Sequence, residues 1–211
     1  EAAPMATSAV ARVVGKVSKE TWHADSTWAT APWQQITRTL KNQPVPQKTA
    51  FQLAWDDSRL YIKARCDEPL VSSIKAVTRD RDVGGFSDDS IELFVDPTGL
   101  GKSFYQFCIT SRGVVYDARE TPSAIGATAN IGWNSGIEVR TSVGRTSWEL
   151  RAALPLARLG GQSPRPGSTW RFNLCRNRFA ERGSPPFSAW SLSPSGFADP
   201  ARFGLITFNG A

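Results

Sequence analysis

The chain has 211 residues, of which 40% are hydrophobic and 21% are charged, and its formal net charge is +6. This length and composition are typical of a globular protein with one buried core, and no apolar run is long enough to cross a bilayer, which excludes an integral membrane protein. The basic residues are scattered, whereas a nucleic-acid interface needs a dense basic stripe with exposed aromatic side chains, so nucleic-acid binding is disfavoured.

The N-terminal quarter of the sequence predicts one strand followed by a long irregular segment. Residues 1–8 look like a mature terminus left after signal removal, and we expect them to form a mobile tail. Residues 9–17 alternate loosely in hydrophobicity and predict a first strand. Residues 22–47 lack a helical period, with a short strand near 35–40. We interpret three tryptophans as anchors that hold this segment against the sheets: Trp22, Trp28 and Trp33.

The rest of the sequence consists of short runs with a period of two, separated by turns rich in Gly, Pro and Asp. Such runs are typical of antiparallel strands. We predict strands over residues 49–55, 60–66, 90–95, 104–110, 113–119, 136–143, 146–153, 169–178 and 203–208. Residues 121–130 are small and polar and predict a loop, whereas residues 154–160 predict one short helical turn. The absence of any predicted long helix favours an all-β, antiparallel two-sheet β-sandwich in a single domain, residues 1–211.

The three cysteines do not define a metal site or a redox compartment. Cys66, Cys108 and Cys175 each lie within a predicted strand, and the sequence has no C-x-x-C pair, so a zinc site is disfavoured. One disulfide with one buried thiol and three buried thiols are equally compatible with this arrangement.

Residues 86–97 carry the most informative pattern. Ile91, Leu93 and Val95 alternate with polar or aromatic positions, which predicts a strand with one face on the core. The residues on its other side and at its entry are chemically distinctive: Phe86, Asp88, Asp89, Ser90, Glu92 and Phe94. Carboxylates beside an aromatic ring can bind the hydroxyl groups of a ligand or a hard cation.

Residues 89–96 (D-S-I-E-L-F-V-D) resemble the D-S-[VI]-E-[IL]-F-[IV]-D strand of family 9 carbohydrate-binding modules. Other matches follow in the order of that family, at residues 53–57, 60–62, 106–107, 148–149, 172–173, 190, 199–200 and 203–204. Together they extend over about residues 10–208. The resemblance implies a jelly-roll or immunoglobulin-like sandwich that binds a mono- or oligosaccharide, or a polysaccharide chain end, without catalysis and as a monomer.

The resemblance also implies which side chains contact the sugar. In the family, two aromatic side chains from separate loops sandwich the sugar, and their positions match Phe86 and Phe197. The family usually has tryptophan at both positions, so phenylalanine offers a smaller face and no N–H donor. The alternative is that both rings belong to the core. Glu92 matches the residue that accepts hydrogen bonds from sugar hydroxyls.

One departure from the family concerns its arginine after Gln-Phe, where this sequence has Cys108. The change removes a bidentate donor for sugar hydroxyls. Three polar residues are the candidates to substitute for it: Gln106, Asn173 and Arg176. With stacking and few hydrogen bonds, we expect a dissociation constant of roughly micromolar to millimolar scale.

The resemblance further implies a structural calcium ion, which would prefer clustered oxygen ligands. The candidates are Asp56, Asp57, Asp88 and Asp96, although Asp56-Asp57 is more simply explained as part of a turn. The expected location is secreted or periplasmic, in a bacterial cell envelope. The module would act either alone or attached to a glycoside hydrolase.

Two other classes of function are less well supported by the sequence. A glycosidase needs two carboxylates facing each other across a cleft, and no spacing supports Glu92 with Glu149 or with Asp117. The lone histidine, His23, has no nucleophile elbow near it. Related sandwiches bind haem for electron transfer, but axial ligands drawn from Met5, His23 and a lysine would be contrived. A protein-interaction domain that has lost sugar binding is a further alternative.

Overall fold

The protein was analysed as a computed structural model that describes residues 10–15, 19–123, 126–160 and 163–210. Within these residues the chain forms strands and short 3-10 turns, and none of its helices is long and apolar enough to cross a membrane. The strands are β1 Val10–Gly15, β2 Gln34–Thr39, β3 Pro44–Trp55, β4 Arg59–Asp67, β5 Ser90–Asp96, β6 Phe104–Thr110, β7 Val115–Ser123, β8 Gly126–Asn130, β9 Glu138–Val143, β10 Ser147–Pro155, β11 Thr169–Asn177, β12 Phe187–Ala189 and β13 Gly204–Phe208. The 3-10 turns are Asp25–Trp28, Val71–Ser73, Leu156–Arg158 and Pro200–Arg202.

The strands build a β-sandwich of two layers. The front sheet has the order β8-β7-β6-β5-β11, and both β12 and β13 pair with the remaining edge of β11. The back sheet has the order β2-β3-β4-β10-β9. Pairing of β12 with β2 joins the two layers, and β1 pairs in parallel with β13 and with β3. All other pairs are antiparallel, as the sequence predicted.

The core lies between the inner faces of the two sheets. Ile91, Leu93 and Val95 of β5 point into it and are fully buried, as their period of two predicted. They face apolar side chains of the back sheet, which include Phe51, Leu53, Leu60, Ile62, Trp148 and Leu150. Each large apolar side chain that is fully buried contributes about 1.5–3 kcal/mol to folding.

The outer face of the back sheet is partly covered by the irregular segment 22–31. Trp22 and Trp28 are buried there against Tyr61, and the Trp28 Nε1 donates a hydrogen bond to the Trp22 carbonyl at 2.8 Å. The prediction that these two tryptophans are anchors is confirmed. It is wrong for Trp33, which is 46% exposed, lies outside this buried cluster and contacts the Lys63 ammonium with one side of its ring.

The predicted strands are found within a few residues of their expected positions, except that β3 begins earlier, at Pro44. The predicted loop over residues 121–130 is wrong. There β7 continues to Ser123 and pairs with β8, with Arg119 opposite Asn130. The two strands of this hairpin at the edge of the sheet are held together by backbone hydrogen bonds, which any residue type can make. The hairpin can therefore form without alternating hydrophobic residues. The three-residue strand β12 was not predicted at all, and the helical turn is the short 3-10 turn at Leu156–Arg158.

All three cysteines are buried free thiols, so the second of the two alternatives left open by the sequence is the one observed. Burial raises the pKa of Cys66 to about 12.

Candidate functional site

The strand register places a straight row of side chains across the outer face of the front sheet. Tyr116 of β7, Cys108 of β6, Glu92 of β5, Cys175 of β11 and Ala189 of β12 lie directly opposite one another in turn. Neighbouring strands are about 4.8 Å apart, so the Tyr116 and Ala189 backbones are each roughly 10 Å from that of Glu92. Glu92 therefore occupies the middle of this face.

Glu92 is only 4% exposed, and two amide side chains hold its carboxylate. The Asn177 Nδ2 donates to Glu92 Oε1 at 2.7 Å, and the Gln106 Nε2 donates to Oε2 at 2.8 Å. Burial raises the pKa of Glu92, and the two hydrogen bonds offset only part of that effect. Each carboxylate oxygen keeps a further lone pair. The Glu92 carboxylate is thus a fixed hydrogen-bond acceptor. Within the described residues, no arginine or lysine neutralises its charge.

Gln106 differs from its neighbours in this region because it is only half-buried. Its Nε2 has a second N–H, and its Oε1 accepts no hydrogen bond within the described part of the chain. A hydroxyl group can both donate to and accept from such an amide. Gln106 therefore supplies the polar group nearest to solvent in the trio formed by Glu92, Gln106 and Asn177, which we call the carboxylate–amide trio.

An aromatic pair lies on one side of the trio. Phe86 is 37% exposed and meets the Tyr116 ring edge-on at a centroid distance of 4.9 Å. Its position depends on Gly85, which has φ +108° and packs so closely on β6 that a Cβ would come within 2.9 Å of the Thr110 Cγ2. This is a conformation and a contact that only glycine accommodates well.

A second aromatic group lies on the opposite side of the trio. Phe197 is partly buried against Phe94, with centroids 6.4 Å apart, and it also contacts Phe187 edge-on at 5.9 Å. Phe187 is exposed and lies directly opposite Asn177 in the β11–β12 pair. Phe187 was missed by the sequence because the short strand that carries it was missed as well.

Glu120 is a further carboxylate on this face that the sequence did not single out. Tyr116, Ala118 and Glu120 are alternate residues of β7 and so point to the same side. Glu120 is 3% exposed and has no hydrogen bond or ion pair with any other described residue. Burial raises its pKa. The predicted strand ends at residue 119, so the sequence assigned Glu120 to no strand and to neither face, whereas β7 continues to Ser123.

Two of the predicted polar contributors are engaged elsewhere. The Asn173 Nδ2 donates to the Ser191 carbonyl at 2.8 Å, and the Ser191 N–H donates to Asn173 Oδ1 at 2.9 Å. Arg176 lies opposite Ile91 and therefore points inward, where it donates to Thr49 Oγ1 at 3.1 Å and to Glu68 Oε2 at 3.2 Å. Arg176 therefore points away from the outer face, whereas Asn173 lies on that face opposite Phe94, with its amide already bound to the Ser191 backbone.

The candidate calcium ligands do not converge. Asp56 accepts hydrogen bonds from the Ser58 N–H and the Tyr61 Oη, and Asp96 accepts from the Gly101 N–H. Asp88 accepts from the Thr78 N–H at the other end of β5, a strand that alone spans about 20 Å, and Asp57 is exposed. The described residues contain no group of three or more His, Cys, Asp or Glu that could hold a metal ion. Calcium stays a prediction of the family resemblance.

The residues considered for catalysis or haem binding are also dispersed. Asp117 lies opposite Phe107, on the inner side of β7, and binds Arg81. Glu149 belongs to the back sheet, so neither carboxylate faces Glu92. His23 is exposed beside Trp22, and Met5 lies outside the described residues.

Comparisons with known proteins identify the family and the fold of this chain. The family profile described as carbohydrate family 9 binding domain-like matches residues 22–211. A protein of Bacteroides uniformis that is inferred to bind carbohydrate has the same fold, with a TM-score of 0.77 and 19% identity, over 96% of this chain and 100% of that chain. The comparison with curated proteins finds no match.

Two similar structures come from Caldicellulosiruptor kristjanssonii and are family 9 carbohydrate-binding modules. The one in complex with cellotriose has a TM-score of 0.68 and 16% identity, covering 96% of this chain and 95% of that chain. The one in complex with glucose has a TM-score of 0.65 and 18% identity, covering 96% and 97%. These likenesses establish the shared fold, and the profile match covers nearly the whole sequence. The chain therefore belongs to the carbohydrate family 9 binding domain-like family.

Proposed function

We propose that the protein is a non-catalytic module that binds carbohydrate on the outer face of the front sheet. Modules of this family are non-catalytic, and two of them with this fold were solved with cellotriose and with glucose. The sugar ring would stack on Phe86 on one side and on Phe197 with Phe187 on the other. Its hydroxyl groups would bind Glu92 and Gln106.

The observation that carries this proposal is the carboxylate–amide trio with aromatic side chains on both sides. A buried carboxylate that serves only stability is usually held by cations, as Glu68 is, or by backbone N–H groups, as Asp96 is, because leaving its charge unsatisfied is costly. Glu92 has two neutral amides instead, which fix its position without neutralising its charge. That arrangement suits a neutral ligand rich in hydroxyl groups.

The trio also offers a replacement for the arginine that the family has at Cys108. Asn177 and Gln106 hold Glu92, and Gln106 has one N–H and one carbonyl oxygen left for the sugar. Amide hydrogen bonds are weaker than those of a guanidinium. We therefore expect modest affinity, with a dissociation constant of roughly micromolar to millimolar scale.

A polysaccharide ligand implies a place of action where such polymers occur. We propose a secreted or periplasmic protein that acts alone or keeps an attached glycoside hydrolase near its substrate. Secretion of the protein by its natural host and co-purification with a glycoside hydrolase are the two observations that would support this setting.

The proposal is tested by calorimetric titration of soluble mono- and oligosaccharides, including glucose and cellotriose, into the protein and its Phe86→Ala variant. We expect saturable binding by the wild-type protein and a loss of at least about tenfold in affinity in the variant. Leu100→Ala is the matched control, since it also removes an exposed apolar side chain. Absence of binding to every sugar, or equal affinity in Phe86→Ala, would overturn the proposal.

A further inference from the structure

The outer face of the back sheet contains an aromatic side chain that the front site does not use. Trp33 is nearly half exposed and directly precedes β2. The Lys63 ammonium lies 5.6 Å from the centroid of its ring, and Asp25 Oδ1 holds that ammonium at 2.8 Å. A cation against one side of an indole holds the ring in place, typically by about 0.5–1 kcal/mol at an exposed site. The rest of the ring is open to solvent as a stacking platform.

An open groove of about 320 Å³ lies beside this ring. Its lining consists of Trp33, Gln35, Lys48, Ala50, Arg65 and Asp67. Gln35, Ala50 and Arg65 are cross-strand neighbours on β2, β3 and β4. Because the Ala50 side chain is small and those of Gln35 and Arg65 are long, the outer face of the sheet has a depression at Ala50. The volume is at the lower end of the range of about 300–1,000 Å³ for small-molecule sites, which suits a short saccharide.

The polar side chains of the groove are only weakly engaged within the fold. Within the described residues, the side chains of Gln35, Lys48 and Arg65 make no hydrogen bond. Arg65 is about half exposed and lies 3.5 Å from Asp67 and 3.8 Å from Glu149, which are longer separations than the roughly 2.7–2.9 Å of a charge-assisted hydrogen bond. Its planar guanidinium can therefore offer two parallel N–H groups to a carboxylate.

The charges around the groove favour an anion. In and beside it lie four cations, which are Lys48, Lys63, Arg65 and Arg151, and three carboxylates, which are Asp25, Asp67 and Glu149, so one positive charge is left over. Asp25 is already paired with Lys63 and with Arg151. A ligand with one carboxylate would complete the balance, and Asp67 could still accept a hydrogen bond from a hydroxyl group.

We propose that this groove is a second binding site, separate from the front face, for an acidic saccharide that carries a uronate carboxylate. The sugar ring stacks on Trp33, and its carboxylate binds the Arg65 guanidinium with Lys48 nearby. Gln35 and Asp67 bind hydroxyl groups. The two sites lie on opposite outer faces of the sandwich, so variants can separate them.

The test is calorimetric titration of trigalacturonate, and of the neutral trisaccharide with the same linkage, at low ionic strength. We expect wild type to bind trigalacturonate saturably and at least about tenfold more tightly than the neutral sugar. Trp33→Ala and Arg65→Gln should each weaken that binding at least about tenfold, and 0.5 M salt should weaken it further.

Leu100→Ala and Arg158→Gln are the matched controls, since they remove an exposed apolar side chain and an exposed arginine elsewhere. Their affinities for trigalacturonate should stay within about twofold of wild type. Thermal midpoints show whether each variant is folded, and Trp33→Phe retains an aromatic ring should Trp33→Ala be unstable.

Several outcomes would contradict the second site. They are no saturable binding of trigalacturonate, equal affinity in Arg65→Gln or in Trp33→Ala, and equal binding of the neutral sugar. Loss of trigalacturonate binding in Phe86→Ala instead would assign it to the front face. That result would contradict the second site while leaving carbohydrate binding at the front intact.

Discussion

Two buried carboxylates are held in different ways by three consecutive residues, which are the last two of β11 and the residue that follows it. Arg176 and Arg178 point inward to Glu68, and Asn177 between them points outward to Glu92. Burial would raise the pKa of Glu68, but hydrogen bonds from Arg178 and the Leu70 N–H, with the charges of both arginines, bring it below its ordinary value. The pKa of Glu92, held by amides, is raised.

This difference separates a structural carboxylate from one available to a ligand. The charge of Glu68 is neutralised by two guanidinium groups, and its oxygens are used within the fold. Glu92 is held equally firmly but keeps its charge and part of its hydrogen-bonding capacity. A strand period of two lets one short segment support the core and the candidate site at once.

The largest effect should come from Glu68→Gln. The substitution leaves Arg176 and Arg178 buried without their common partner, so we expect a loss of about 3–5 kcal/mol in the free energy of unfolding, measured with urea. Glu181→Gln is the matched control, because that carboxylate binds Arg178 from an exposed position and should cost less than about 1 kcal/mol. Equal losses of unfolding free energy in the two variants would show that the buried ion pairs of Glu68 stabilise the protein no more than the exposed pair of Glu181 does.

Glu92→Gln should affect binding rather than stability. Loss of a charged acceptor should weaken sugar binding by about 10- to 100-fold, with a smaller change in unfolding free energy than for Glu68→Gln. Wild-type affinity should also fall as the pH decreases through the raised pKa of Glu92, above the ordinary value of 4.5, because the protonated acid is a poorer acceptor. A pH profile that is the same in wild type and Glu92→Gln would contradict this role.

The two predicted stacking rings should differ in what they contribute to folding. Phe197 packs on Phe94 and Phe187, so Phe197→Ala should cost about 1–2 kcal/mol of stability as well as affinity. Phe86 is more exposed, and Phe86→Ala should change the thermal midpoint by at most about 2 °C. Thermal unfolding beside calorimetry measures both effects. A large decrease in the midpoint for Phe86→Ala would place that ring in the core.

The smallest effect concerns the unpaired carboxylate Glu120. Because its pKa is raised on folding, its ionised form destabilises the protein, and stability decreases as the pH rises through that pKa. Glu120→Gln should therefore raise the free energy of unfolding at pH 7 by about 1 kcal/mol and leave it unchanged near pH 4. Urea unfolding at the two pH values measures the free energies. A Glu120→Gln variant that is less stable than wild type at pH 7 would contradict the prediction, because it would show that a cation stabilises the Glu120 carboxylate.

The sequence was sufficient for the features that depend on local pattern. The period of two in β5 predicted that Ile91 points inward and Glu92 outward, and the family resemblance predicted that Phe86 lies in a loop. The choice of Arg176 as a contributor on the ligand side could not be checked without the register of β5 and β11. That register puts Arg176 opposite Ile91 and Asn177 opposite Ser90, on the side of Glu92.

Features that depend on long-range contact were not predictable in the same way. Trp33 is exposed although Trp22 and Trp28, in the same segment, are buried: the latter two pack on an apolar cluster that includes Tyr61, whereas Trp33 meets the charged Lys63. Glu120 lies in the polar C-terminal part of β7, and Phe187 begins the three-residue strand β12, which is too short to show a hydrophobic pattern. The face of the sheet to which each side chain belongs follows only from the strand pairing.

The most direct test of the central claim is the response of side-chain amides to sugar, measured in ¹⁵N–¹H correlation spectra during titration with glucose or cellotriose. We expect saturable shifts of the Gln106 and Asn177 side-chain amide signals, while the signal of Asn173, whose amide binds Ser191, stays in place. Titration without shifts at Gln106 and Asn177, or with shifts confined to Asn173 or the back sheet, would contradict sugar binding at Glu92.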